Sequence, residues 1–349
     1  MPALNFNDVG LALHNICTKY SLLNGWTYDP LLRAIMGDRL EPGDVGDKSR
    51  PDLPRFARVD TEFDGEVFRY DLMKAQSGYT RAAAPADRIA ARSLDTTDKY
   101  APATFLPTMF PIGEDVDAMK VERITAQMRQ GKGDLLELEA KRILNRTQIT
   151  FIKALLSTTT NANTDLVSGG LPFGIDAANT YGGVDRSDAT GAMFRGQVLD
   201  LDNVTDTEIL TLDHLTEMQA AADSTVGSVS LVVCGRAIWA KLARKVEVLA
   251  GQGASAMSGD TLMVGKQHFT YRGMTVIPSP WITANMVLGL CPESIHIKAK
   301  LPSLDEGSYT WQRNPGTNAS WLYQSEILLS CVVEVPGANF KILNAEDVA

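Results

Sequence analysis

The stretch from 158 to 205 places the strongest constraint on the fold, because it is rich in Gly, Thr, Asn and Asp and carries little apolar periodicity. A structureless stretch of that length is uncommon inside a compact domain, where it is typical of a functional loop or an interaction segment. It follows the longest helical pattern of the chain, which covers about 135–157. Any fold for this chain therefore has to place a long irregular segment directly after its longest helix.

The helix predicted over about 135–157 is amphipathic. Asp134, with Glu137 three residues later, predicts a capping box at its start. Its apolar residues recur at three- and four-residue steps and so share one face; they are Leu136, Ala140, Ile143, Leu144, Phe151, Ala154 and Leu155. A weaker helical pattern over 113–128 precedes it, and glycines separate the two.

The residues before these helices predict extended structure. The stretch 41–54 holds three prolines and two glycines, which block helices and central strands, so we expect an arm that becomes ordered only against something else. Alternating residues on either side of Asp64-Gly65 predict a hairpin. A polar stretch, 76–99, and a second extended segment, 103–112, complete a long two-stranded excursion, which would be marginal in water without a partner.

From 208 onward, helical and strand patterns alternate, so the fold class is α+β. Helices are predicted at about 214–222 and 237–246. Strands are predicted at about 229–233, 267–277 with a bend at Arg272-Gly273, 286–291, 310–313, 322–335 and 340–343.

Composition excludes several classes of protein. The formal net charge of −9 argues against a surface that binds nucleic acid broadly, since such proteins carry a basic face. One scattered basic stretch, best interpreted as a solvated face, holds Arg81, Arg88, Arg92 and Lys99. We expect neither a signal peptide nor a membrane span, because no apolar run is long enough.

Chemical motifs are weak throughout. The cysteines at 17, 234, 291 and 331 are too far apart in sequence for a typical zinc site and predict single buried thiols. The histidines at 14, 214, 268 and 296 show no paired spacing, and Glu137/Glu139 and Asp115/Asp117 are two residues apart and diverge on a helix.

Nucleotide and hydrolase motifs are similarly poor. Gly251-Gln-Gly253 begins like a dinucleotide fingerprint but follows a helix, and neither a P-loop nor a serine-hydrolase elbow is present. We therefore assign no catalytic, cofactor-binding or metal-binding residue, and no cofactor. A site assembled from residues distant in sequence stays open.

Three local motifs resemble one family. They are Gly170-Leu-Pro-Phe-Gly-Ile175 with Tyr181-Gly-Gly-Val-Asp-Arg186, then Val232-Val-Cys-Gly-Arg-Ala-Ile-Trp239, and Gly273-Met-Thr-Val-Ile-Pro278. They resemble segments of the Hong Kong 97-type major capsid proteins of tailed bacteriophages, and the order of elements matches over nearly the full length. Many relatives carry a tryptophan after the first motif, where this chain has Met193-Phe194.

The resemblance implies a layout of five parts. These are an extended N-arm over 1–57, an E-loop over 58–107, a peripheral domain over 108–205 with a spine helix at about 135–157, an axial domain over 206–300, and a return to the peripheral domain with C-terminal strands over 301–349.

The function implied is a shell subunit rather than an enzyme. It would assemble with itself into hexamers and pentamers of an icosahedral capsid, in the host bacterial cytoplasm, and remain in the virion. Its partners would be the portal protein, packaged double-stranded DNA bound without sequence specificity, and candidate scaffolding and decoration proteins, with no membrane. An encapsulin-like nanocompartment subunit and a soluble cytoplasmic enzyme are the alternatives.

Some relatives crosslink an E-loop lysine to an asparagine of a neighbour. Lys74, Lys99, Asn314 and Asn318 are the residues here that could correspond, and we expect no crosslink because no catalytic glutamate is evident. For Asp185 and Arg186 the resemblance implies intersubunit ion pairs, and the alternative is a local turn with solvated charges.

Overall fold

The computed structural model of the chain describes residues 6–19, 31, 58–60, 68–73, 100–106, 108–160, 166–188, 191–203, 206–207, 209–222, 227–251, 269–300, 309–313 and 320–345. Contacts divide the chain into two compact units. The first unit comprises Met1–Glu66, Leu106–Gly170 and Ile297–Cys331, and the second comprises Val67–Phe105, Leu171–His296 and Val332–Ala349. The bounds of the five parts inferred from the resemblance remain predictions.

The elements used below are given in chain order. They are α1 (Phe6–Lys19), β1 (Arg58–Asp60), β2 (Phe68–Met73), β3 (Tyr100–Phe105), β4 (Thr108–Asp117), α2 (Ala118–Arg129), α3 (Asp134–Leu155), β5 (Thr180–Tyr181), β6 (Val184–Asp185), β7 (Gln197–Asp200), β8 (Asp202–Asn203), β9 (Asp206–Thr207), α4 (Leu212–Ala222), β10 (Leu231–Cys234), α5 (Arg236–Gly251), β11 (Phe269–Tyr271), β12 (Met274–Pro278), β13 (Val287–Leu290), β14 (Ile295–Lys300), β15 (Tyr309–Arg313), β16 (Ser320–Val333) and β17 (Phe340–Leu343).

Helix α3 is the long helix that the apolar stripe predicts, and every residue of that stripe is buried. The predicted capping box is wrong, because Gly133 rather than Asp134 occupies the N-cap and makes no side-chain cap. The side-chain oxygen of Gln127, on α2, instead accepts a hydrogen bond from the Leu135 amide at 3.2 Å. A side chain from the preceding helix thus replaces the local cap.

The helix predicted over 113–128 begins later than expected. Residues up to Asp117 belong to β4, which pairs antiparallel with β16 from Thr108↔Leu329 to Asp117↔Ser320. The Asp117 carboxylate then caps α2 by accepting from the Met119 amide at 2.8 Å. The apolar spacing fits helix and strand alike here, and pairing with a distant strand decides for the strand.

The sheet of the first unit is built around β16, which also pairs antiparallel with β15. Strand β1 lies in the same sheet, next to β14, whereas β2 pairs with β3 in a separate ribbon. The hairpin predicted around Asp64-Gly65 is therefore wrong, since its two flanking strands belong to different sheets. Long-range pairing overrides the local turn signal, and the turn residues themselves lie outside the described residues.

The second unit contains a mixed sheet in the order β11-β12-β10-β13-β17-β7. Strands β10 and β12 are parallel, and α5 and β11 both lie between them in the chain, while β13 lies antiparallel to both β10 and β17. Helices α4 and α5 bury Leu215, Ile238 and Leu242 in the same apolar cluster as the sheet. The alternating helices and strands predicted from 208 onward are confirmed, including the bend at Arg272-Gly273, which is a two-residue turn between β11 and β12.

The stretch 158–205 is less irregular than its sequence suggests. Its described residues include a one-turn helix at Leu171–Gly174, a 3-10 turn at Gly191–Phe194, the short β5–β6 pair and strand β7, which pairs parallel with β17. Each element is too short to produce a periodic signal. Across the described part of the chain, no helix combines the length and apolar character needed to cross a membrane.

Candidate functional site

The segment that carries the first sequence motif forms a compact polar cluster in the second unit. It starts at the helical turn Leu171–Gly174 and ends at Arg186, just after the β5–β6 pair. The turn is too short to satisfy its own C-terminal carbonyl groups, which need donors from elsewhere. Two buried cations, Arg186 and Lys341, supply those donors.

Arg186 is the largest fully buried side chain in the described residues, with 0% of its surface exposed. Its guanidinium donates to the main-chain oxygens of Gly174 at 2.6 Å, Phe173 at 2.9 Å and Asn179 at 3.2 Å, and to the side-chain oxygen of Asn179. The planar fork of arginine can serve several fixed acceptors at once. Arg186 therefore holds together residues on both sides of the 174–179 loop.

A buried guanidinium has a desolvation cost, and its surroundings offset that cost. Burial lowers the pKa of Arg186 to about 10, against the favourable influence of Tyr181 and Asp176. Its central carbon lies 5.0 Å from the centre of the Tyr181 ring, within the range of a cation–π interaction. The pKa stays well above neutrality, so the side chain keeps its charge.

Lys341 is the second buried cation of the cluster, with 5% of its surface exposed. Its ammonium group donates to the Asp176 carboxylate at 2.5 Å and to the Pro172 carbonyl at 3.2 Å. Burial raises the pKa of Asp176, but hydrogen bonds from Lys341 and from the amides of Ala178 and Ala177 outweigh it, so the pKa lies below its usual value. Lys341 thereby joins strand β17 to the helical turn.

Tyr181 connects this cluster to the β2–β3 ribbon. Its hydroxyl accepts a hydrogen bond from the Val333 amide at 2.9 Å, and its ring meets the Phe105 ring edge-on, with centroids 5.0 Å apart. The next residue, Gly182, accepts a hydrogen bond through its carbonyl from the Thr104 amide at 2.8 Å. The cluster is therefore also the place where the ribbon is attached.

The role expected for Arg186 needs correction. Neither an intersubunit ion pair nor a solvated charge fits a guanidinium that is fully buried in its own unit. Asp185 differs, because it is exposed and accepts hydrogen bonds from the amide and hydroxyl of Ser187. These bonds lower the pKa of Asp185. For Asp185, the local turn with a solvated charge describes the structure.

The other titratable residues considered from sequence are spread over the described chain. His14 lies 3.1 Å from the Tyr323 hydroxyl in the first unit, and His296 lies 2.6 Å from the Glu334 carboxylate in the second. Glu137 pairs with Lys141, whereas Glu139 pairs with Lys120 and Arg142, so the two carboxylates diverge as predicted. His214 sits at the start of α4, where it exchanges hydrogen bonds with Thr211.

All four cysteines are buried thiols, as predicted. Burial raises the pKa of Cys17, Cys291 and Cys331 to about 12, and raises that of Cys234 as well. A thiol with so high a pKa is not a nucleophile at neutral pH. Within the described ranges, no three His, Cys, Asp or Glu residues converge in a way that could hold a metal ion.

Several residues singled out from sequence cannot be placed. The possible crosslinking residues, the scattered basic stretch and two other positions lie outside the described residues; they are Lys74, Lys99, Asn314, Asn318, Arg81, Arg88, Arg92, His268 and Gly253. The sequence motifs did not predict the buried cluster around Arg186 and Lys341. The only sequence signal for it is that charged residues occur within a glycine-rich motif.

The fold has clear counterparts among solved structures. A subunit of the cyanophage A-1(L) capsid matches with a TM-score of 0.56 at 15% identity, over 83% of this chain and 90% of that one. The capsid of a native GTA particle matches with a TM-score of 0.51 at 15% identity, over 91% and 100%. The holo-SrpI encapsulin complex of Synechococcus elongatus follows at 0.49 and 15%, over 83% and 87%.

By sequence comparison, neither a family model nor a curated protein matches the chain. The structural matches span most of both chains and establish the fold. It is the α+β fold of phage capsid proteins, which confirms the fold that the sequence motifs predicted.

Proposed function

We propose that this chain is the major capsid protein of a tailed bacteriophage. Copies of it would form hexamers and pentamers, and these would close into an icosahedral shell around double-stranded DNA. The observation that supports the proposal is the match to the cyanophage capsid subunit over 83% of this chain and 90% of that one. A match of that extent includes parts of both units.

The mechanism is assembly rather than chemistry. Each contact between subunits can be weak, because repetition around closed rings makes the second and later contacts effectively intramolecular. Closed point-group symmetry then limits growth to a finite particle. The portal protein is a further partner, scaffolding and decoration proteins are candidates, and DNA is enclosed without sequence-specific binding. The shell would assemble in the bacterial cytoplasm and persist in the virion.

Electron microscopy of the purified chain tests the proposal. We expect closed shells with pentameric and hexameric units whose yield rises with protein concentration in light scattering, alone or after co-expression with a scaffolding protein. A monodisperse monomer under all of these conditions would refute it. Material scattering as open aggregates without symmetry would also count against it.

The contents of particles recovered from cells separate the two shell hypotheses. A phage capsid protects double-stranded DNA from added nuclease, whereas an encapsulin-like shell encloses protein cargo. We expect protected DNA in particles recovered from phage-infected cells. Protein cargo without DNA would favour the encapsulin-like alternative.

A further inference from the structure

The β2–β3 ribbon raises the question of what fixes its direction. A two-stranded ribbon is marginally stable in water and needs a third element to hold it. The described ladder of this ribbon is nevertheless buried towards both ends: Leu72, which pairs with Ala101, and Phe105, which pairs with Phe68, are both 0% exposed. The ribbon therefore rests on other parts of the second unit at both ends, and its contacts identify which parts.

Among the described residues, two contacts hold the Phe105 end of the ribbon and one holds the Met73 end. The Thr104 amide donates to the Gly182 carbonyl at 2.8 Å, and the Met73 amide donates to the Glu334 carbonyl at 2.9 Å. The Phe105 ring packs edge-on against Tyr181. Two of the three contacts involve the β5–β6 turn, so this turn is the main support of β3.

The β5–β6 turn is itself held in place by contacts with Val333 and Arg186. The Tyr181 hydroxyl is fixed by the Val333 amide, and the Tyr181 ring lies against the buried Arg186 guanidinium. Arg186 donates hydrogen bonds to the carbonyl oxygens of residues 173, 174 and 179, which precede the same turn in the chain. Movement of the turn would break several of these charge-assisted hydrogen bonds together.

We propose that the β5–β6 turn is a seat that sets the direction of the β2–β3 ribbon, and that Arg186 is the positioning residue of this seat. The seat acts within one subunit and does not depend on the proposed function. Its consequence for assembly does: a ribbon that reaches neighbouring subunits must leave each subunit in a defined direction, and the seat provides that direction.

Two adjacent glycines provide a matched test. Gly182 and Gly183 both have positive φ angles, of 58° and 86°, so alanine is strained at either position. An added Cβ at Gly182 would lie 2.7 Å from the Ala103 Cβ and 2.7 Å from the Phe105 ring, while one at Gly183 meets nothing within 4 Å. Only Gly182→Ala therefore presses on the ribbon.

Hydrogen exchange on the unassembled subunit reads out the effect. For Gly182→Ala we expect the amides of β2 and β3 to exchange about tenfold faster than in Gly183→Ala, with β10 unchanged between the two variants. Equal exchange in the ribbon of both variants would overturn the proposal. So would an acceleration that extends equally to β10, because that outcome indicates loss of the unit's fold rather than of the seat.

Arg186→Lys tests the positioning role, because lysine keeps the charge and lacks the planar fork. Relative to the wild type, we expect the exchange rate of the ribbon amides to increase more than that of the β10 amides, as for Gly182→Ala. Ribbon exchange at the wild-type rate would overturn the assignment of Arg186. Electron microscopy of the same variants addresses assembly separately. A wild-type chain that forms no shells, either alone or with a scaffolding protein, refutes the proposed function, while the exchange comparison still decides on the seat.

Discussion

At the scale of single residues, two buried cations hold part of the second unit together, and for one of them, Arg186, the sequence motif predicted a surface position. Arg186 and Lys341 are buried, and main-chain carbonyl oxygens are prominent among their acceptors. Every residue has a main-chain carbonyl oxygen, so the sequence cannot indicate which of them will accept from a buried cation. A buried cation is tolerated because its donors are satisfied, and removing it leaves several carbonyls without partners.

Arg186→Gln is expected to destabilise the subunit by about 2–4 kcal/mol, because a shorter neutral side chain cannot reach the same carbonyl oxygens. Urea unfolding of the unassembled subunit measures the loss. Arg123→Gln is the matched control, since Arg123 is exposed on α2, and its effect should stay within about 0.5 kcal/mol. Similar losses for the two variants would contradict the role of Arg186.

Asp176 should make stability depend on pH under acid conditions. Its pKa is lowered in the folded chain, so the carboxylate stabilises the fold above the unfolded pKa of about 3.9, and this contribution is lost as pH falls through the folded value. Asp176→Asn should therefore flatten the fall in stability below about pH 4, in unfolding measured across pH.

Asp185→Asn is the control for that experiment. The pKa of Asp185 is also lowered, but by the neighbouring Ser187 and at an exposed position, where solvent screens the interaction. We expect Asp185→Asn to change the fall in stability at acid pH less than Asp176→Asn does. Equal changes would mean that the pairing of Asp176 with Lys341 adds nothing beyond a local turn.

At the scale of elements, α3 shows most clearly how the sequence specifies structure. Its buried stripe follows from apolar spacing alone, and the 22-residue helix is about 33 Å long at the usual rise. The exposed face includes Leu138, which remains 60% exposed, while Leu144 on the opposite face is 0% exposed. The helix is therefore stabilised by one face, and identical substitutions on the two faces should differ in effect.

Leu144→Ala is expected to cost about 2–5 kcal/mol, because it leaves a cavity beneath the helix. Leu138→Ala removes the same atoms from the same helix at an exposed site and should change stability by no more than about 0.5 kcal/mol. Thermal and urea unfolding of unassembled subunits compare the two. If Leu138→Ala costs as much as Leu144→Ala, the assignment of the buried face is wrong.

At the scale of the whole molecule, local patterns predict elements and fail on pairings. The α3 stripe, the β10–α5 step and the β11–β12 bend depend on neighbouring residues, and all are confirmed. The Asp64-Gly65 hairpin is wrong because β1 and β2 find partners far along the chain. The polar cluster of Arg186 and Lys341, with the seat beside it, could not be predicted for the same reason, since its contacts join residues near 105, 181, 333 and 341.

These long-range connections should make the subunit unfold as one cooperative body. The chain passes between the two units at 66–67, 105–106, 170–171, 296–297 and 331–332, and strands β14 and β16 run through two of these points. Each of these two strands has residues in both units, so we expect unfolding of one unit to disturb a strand of the other. We therefore expect Leu144→Ala in the first unit and Leu231→Ala in the second to shift a single shared transition.

Hydrogen exchange at increasing urea checks this on unassembled subunits, with amides of α3 reporting on the first unit and amides of β10 on the second. In the wild type and in both variants, the two sets should reach the same opening free energy near the unfolding midpoint. If Leu231→Ala instead lowers the opening free energy of β10 and leaves that of α3 unchanged, the units unfold independently. Continuity of β14 and β16 would then be insufficient to couple them.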